Sequence, residues 1–150
     1  MTTHRLATVL SVLLGLACLW FAYGGLFTPE AFAAGFGIPS LPQGDAVGFL
    51  TVKAGRDLAD GAIVLTLLAL GRRRSLAWVT LLFAMSPCVD AFAVLTHGGT
   101  YAAALGIHAS TCVGMLLTAG LLFASSSESG TVRSNSVERE GNRILDRSSL

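Results

Sequence analysis

One stretch of this sequence concentrates groups capable of acid–base chemistry: Val52-Lys53-Ala54-Gly55-Arg56-Asp57-Leu58-Ala59-Asp60-Gly61. On a helix turning about 100° per residue, Lys53, Arg56, Asp57 and Asp60 share an arc of roughly 100°. The spacing offers two opposite-charge i,i+4 pairs, Lys53 with Asp57 and Arg56 with Asp60. Two more ionisable residues, Asp90 and His108, lie in later apolar runs. Asp57, Asp60 and Asp90 are candidate catalytic acids or bases, and Arg56 a holder for an oxyanion or carboxylate. Lys53 and His108 are candidate substrate-binding groups. A protonated His108 would balance three carboxylates against Lys53 and Arg56. The same charges also suit a self-satisfied ion network that staples helices together.

The surroundings of these groups are apolar. Hydrophobic residues make up 53% of the 150, charged residues only 13%, and the mean hydropathy is +0.67. Soluble domains carry about a quarter charged residues. Four apolar runs stand out: 6–27, 47–70, 76–95 and 101–124. Each has roughly 20–24 residues, enough at about 1.5 Å per residue to cross a hydrocarbon core of about 30 Å. Backbone groups facing lipid must be bonded internally, and no strand-like alternation is present, so the runs are expected to be helices. The expected fold is all-α: an integral membrane four-helix bundle over 1–124, with a disordered cytosolic tail over 125–150. That tail is rich in Ser, Glu, Arg and Asn and has no aromatic residue.

Local punctuation sets the boundaries. Phe27-Thr28-Pro29-Glu30 ends the first run, and Gly35, Gly37, Pro39, Pro42 and Gly44 mark residues 28–46 as a loop. The first run is longer than a signal-peptide core and is expected to stay as a span. Gly71 with Arg72-Arg73-Arg74, and His97-Gly98-Gly99-Thr100, form the other links. Arg5 and the arginine triplet share one side, whereas loops 28–46 and 96–100 contain no Lys or Arg. Both termini are therefore expected in the cytosol. In this topology Asp90 and His108 lie about 10–15 Å below the opposite surface, level with Lys53–Asp57. Charges at that depth are costly, so the polar face is expected to point into the bundle or a cavity.

Ser86-Pro87 predicts a kink in the third span, with Ser86, Asp90 and His97 near one face. In the fourth, Ala102, Gly106, Ser110, Gly114 and Thr118 recur every four residues, a small-residue ridge suited to close packing within the bundle or between protomers. His108 lies about 200° from Gly106, so ridge and His108 cannot face the same neighbour. Cys18, Cys88 and Cys112 read as small buried hydrophobes. No ligand pair has metal-site spacing, no cofactor motif is present, and a net charge of +1 offers no field for nucleic acid.

The Val52–Gly61 motif, with an Asp such as Asp90 in the next span, resembles a family of small four-span microbial membrane proteins designated domain of unknown function 4267. The resemblance covers about residues 6–124, and its most specific part is Gly55-Arg56-Asp57-Leu58. It maps the family's recurrent Arg-Asp pair onto Arg56 and Asp57. It also implies a context of natural-product, or secondary-metabolite, biosynthesis, in which small membrane proteins cyclise or isomerise lipophilic intermediates. Three functions follow as expectations. One is a membrane-embedded cyclase or isomerase acting on a lipophilic small molecule that arrives from the bilayer. Another is a non-enzymatic scaffold or regulator, self-associating through the fourth span. The third is a small proton-coupled transporter.

Overall fold

The structure, a computed structural model, describes residues 2–40 and 42–126. Among these, every regular element is helical. The chain runs α1 (Thr2–Phe27), α2 (Pro29–Phe36), a short 3-10 turn (Gly44–Val47), α3 (Gly48–Ala69), α4 (Arg73–Thr96) and α5 (Tyr101–Ser126). The four long helices form an all-α bundle that coincides with the four apolar runs. The fourth continues two residues past the expected end, and the rest of the expected tail lies outside the described residues. Helices α1, α4 and α5 are each long and apolar enough to cross a membrane. Helix α3, with 22 residues, has the length. It carries the charge block that sets it apart from the other three. Phe49, Phe92, Tyr101 and Leu117 expose more than half their surface, an outer coat that lipid solvates and water does not.

Two links are closed by the same device. At the end of α3 the Arg72 amide donates to the Leu67 carbonyl at 2.9 Å and the Gly71 amide to Leu68 at 3.0 Å, with Gly71 at φ 67°. At the end of α4 the Gly99 amide donates to the Val94 carbonyl at 2.8 Å around Gly98 at φ 79°. Both are left-handed caps that satisfy orphan carbonyls and that glycine adopts without strain. Thr100 then caps α5, its hydroxyl accepting from the Ala103 amide at 3.1 Å. The tight links make α3 and α4, and α4 and α5, antiparallel.

Helices α1 and α3 pack closely along their lengths. Ala7, Ser11, Gly15, Ala22 and Gly25 form the buried stripe of α1, and Ala54, Gly61 and Val64 that of α3. A β-carbon on Gly61 would stand 3.0 Å from the Gly15 carbonyl and 3.2 Å from the Cys18 β-carbon. Small residues thus let the backbones touch. At the end holding the N-terminus of α1, an apolar core of Ala7, Val64, Leu76, Ala77 and Leu122 ties all four helices together. The Arg73 guanidinium pins that end by donating to the Thr8 hydroxyl at 2.6 Å.

Toward the other end the helix pairs part. Helix α4 is interrupted at Ala84, between Arg73–Phe83 and Met85–Thr96. Pro87, one turn beyond Phe83, cannot donate to the Phe83 carbonyl, which accounts for the expected break. Residues 29–36, expected within a loop, are instead helical. Pro29 occupies the first turn of α2, and Gly37 at φ 97° ends it. Helix α2 folds back on α1, where Phe32 packs against Gly24 and Phe21. Its far end reaches α5 at Ala103 and His108. It therefore lies across the parted end of the bundle as a cap.

Candidate functional site

The four long helices and α2 line a half-open cavity of about 920 Å³. All six candidate site residues line it: Lys53, Arg56, Asp57 and Asp60 from α3, Asp90 from α4 and His108 from α5. The depth matching made on the sequence thus brings together residues from three helices. Ser86 also lines the cavity, but His97 does not. The His97 ring instead donates through Nδ1 to the Ala93 carbonyl at 2.9 Å, which turns it back along its own helix.

The two expected i,i+4 pairs differ. Lys53 Nζ donates to both Asp57 oxygens, at 3.1 and 2.9 Å, and the two side chains are 25% and 16% exposed. The Lys53 ammonium also stands 5.8 Å from the centre of the Phe32 ring on α2. Arg56 and Asp60, by contrast, do not close a pair. Among the described residues neither makes a hydrogen bond or an ion pair within 4.0 Å. Arg56 is an exposed residue at the cavity wall, while Asp60 is half-buried. Correct helical spacing permits a pair but does not by itself form one.

His108 is buried and doubly engaged. Its Nε2 lies 2.8 Å from the Phe36 carbonyl, and the Phe36 ring packs on the imidazole with centroids 4.6 Å apart. A carbonyl only accepts, so Nε2 must carry the proton. Nδ1 then faces Asp90, 3.9 Å from Oδ2. That is ion-pair distance and beyond a hydrogen bond, so both atoms remain available to a third group. His108 belongs to a π-helical stretch, Ala104–Ala109, a rare widening of the helix that recurs at functional sites.

This geometry resolves the tension in α5. His108 turns inward, and Ala102, Gly106, Ser110 and Gly114 of the small-residue ridge are exposed on the outside; only Thr118 is buried. The cysteine expectation is met in part. Cys112 is buried and Cys18 half-buried, but Cys88, beside Cys112, is exposed.

Sequence reasoning missed the aromatic wall. Trp20, Phe21 and Tyr23 on α1, with Phe32 and Phe36 on α2, complete the cavity. Trp20 stacks on Tyr23 at 6.0 Å and Tyr23 meets Phe27 at 4.9 Å, a ladder at helical spacing. That spacing was visible in the sequence. The rings remain largely exposed, and it is Phe21 beside them that α2 covers through Phe32.

No curated protein and no solved structure matches the chain. A family model described as a domain of unknown function (DUF4267) does match, over residues 15–122. That range takes in all six candidate site residues, the α2 cap and the α1–α3 seam from Gly15 onward, and the chain belongs to this family.

Proposed function

We propose that the cavity binds a lipophilic small molecule and moves a proton on it, as a membrane-embedded isomerase or cyclase. The observation that carries this reading is the Asp90–His108 pair. One nitrogen of the imidazole is held as a donor by the Phe36 carbonyl, and the other faces a carboxylate across a gap open to the cavity. Such a pair offers an acid and a base at once. In a double-bond shift or a proton-initiated ring closure, the base removes one proton and the acid returns one, so atoms balance without a second substrate. Asp57 and Asp60 complete the acidic side, and Arg56 is placed to hold a carboxylate or another oxyanion of the bound molecule.

The test compares lipid extracts of cells with and without the gene, then repeats the comparison with variants. Asp90→Asn, Asp57→Asn and Arg56→Ala are each expected to remove the gene-dependent compound while the protein still accumulates in the membrane fraction. Extracts that do not change with the gene, or variants that turn over normally, defeat the reading. In the same reading both termini and Arg72–Arg74 are cytosolic, which sets the capped end of the cavity in the outer half of the bilayer.

A second reading has its own support. The outward face of Ala102, Gly106, Ser110 and Gly114 suits self-association of a membrane scaffold or regulator. Cross-linking through that face, with no change in metabolites, would favour it over the enzyme.

A further inference from the structure

We propose that the ligand of this cavity is an amphiphile with one oxyanion head, a carboxylate or a phosphate on an apolar body, and that the head docks on Arg56. This rests on the reading of the cavity as a site for a lipophilic molecule and adds the chemistry of its polar end.

The two cations of α3 are not equivalent. Lys53 is committed, because its ammonium already bridges both oxygens of Asp57. Arg56 lines the same cavity with no acceptor in hydrogen-bonding range among the described residues. A guanidinium presents five N–H donors in a planar fork, which a carboxylate or phosphate matches with two parallel bonds. Asp60 attracts Arg56 through space but stays outside ion-pair distance, so it lowers the cost of the charge without occupying the fork. A ligand without an acceptor would leave those donors unmatched, whereas an oxyanion fills the fork with two charge-assisted bonds.

The rest of the cavity suits an apolar body. Trp20, Phe21, Phe32, Phe83 and Met115 line it, and its volume of about 920 Å³ is near the upper end of sites that hold one small molecule, roughly 300–1,000 Å³. Asp90 and His108 line the same space, so a ligand held by its head at Arg56 lies along the proton-carrying pair.

The experiment uses the full chain in phosphatidylcholine nanodiscs and three photoreactive probes. All share one diazirine-bearing hexadecyl chain, ending in a carboxylic acid, a phosphate or an alcohol. Peptides that carry cavity residues are identified by mass spectrometry. The acid or the phosphate is expected to label them at least about tenfold more than the alcohol, the scale of a charge-assisted contact. Arg56→Gln should bring labelling down to the alcohol level, and Arg56→Lys, which keeps charge but not the fork, should retain an intermediate part. Acid above phosphate identifies free acids as the source, and phosphate above acid identifies a phospholipid-derived head; each supports the proposal. Equal labelling by all three probes, or an Arg56→Gln chain that labels like the parent, overturns it. Should Arg56→Gln fail to accumulate, the acid-to-alcohol ratio on the unmodified chain decides alone. Asp90→Asn separates this from the acid–base reading, since it should stop turnover yet leave acid labelling within about twofold. A chain that labels selectively but never turns a substrate over sinks only the acid–base reading.

Discussion

At the scale of single residues, the polar face of α3 holds its two cations differently. Lys53 donates to both oxygens of Asp57. Arg56 and Asp60 have the same spacing and remain apart, so the spacing permits a pair without fixing the rotamers that would close it. The formed pair is mostly buried, and removing one partner strands the other. Lys53→Met is therefore expected to lower stability in detergent by about 2–4 kcal/mol, with much of that recovered in the double variant Lys53→Met with Asp57→Leu. Thermal melts of the parent, both single variants and the double variant measure the coupling; additive single effects would contradict it. His108 gives a second test at this scale. The Phe36 carbonyl fixes the proton on Nε2, so nitrogen NMR of histidine-labelled protein should find Nε2 protonated in the parent and in Asp90→Asn, with only Nδ1 responding to that substitution. An Nε2 that loses its proton in either protein would remove the assigned tautomer.

At the scale of elements, helices were legible and their surfaces less so. Length and apolarity fix the four long helices within a few residues. The small-residue ridge of α5 draws attention in the sequence, yet the seam that packs the bundle lies on α1, where Ala7, Ser11, Gly15, Ala22 and Gly25 follow a mixed four- and three-residue spacing. A strict every-fourth-residue pattern drifts around a helix, whereas the mixed spacing holds one face toward a neighbour. The two surfaces should therefore respond differently to bulk. Gly61→Leu drives a side chain into the Gly15 carbonyl and Leu19, and should destabilise by about 1–3 kcal/mol. Gly114→Leu meets open space and should leave the melting temperature of the single chain nearly unchanged. Equal effects would mean that the seam is misassigned. Helix α2 was hidden by the density of Gly and Pro around it, although Thr28-Pro29-Glu30 and Gly37 are ordinary start and stop signals. The π-helical turn at His108 has no such signal, since it reflects how α5 accommodates its neighbours.

At the scale of the whole molecule, the bundle is asymmetric along its axis. One end is closed by packed aliphatic side chains and by Arg73 donating to Thr8, with the arginine triplet beside the N-terminus of α1. The other end opens around the charged cavity and is covered by α2. This asymmetry gives orientation a functional meaning. If the arginine end is cytosolic, as the bias of basic residues predicts, the cap and the loop that follows it face the opposite side. Replacing Cys18, Cys88 and Cys112 by Ala provides a background for single labels, because these are the chain's three cysteines. In that background Gln43→Cys reports on the capped end and Ser75→Cys on the arginine end; both positions are exposed. A membrane-impermeant maleimide applied to intact cells should modify Gln43→Cys at once, and Ser75→Cys only after lysis. The opposite pattern would invert the molecule and place the cavity cap on the cytosolic side. Labelling of both sites in intact cells would mean that the two ends are not separated by a bilayer, which would remove α3 as the fourth crossing. The charged helix is the element on which this outcome depends, because its length suffices to span but its side chains need the cavity for shelter.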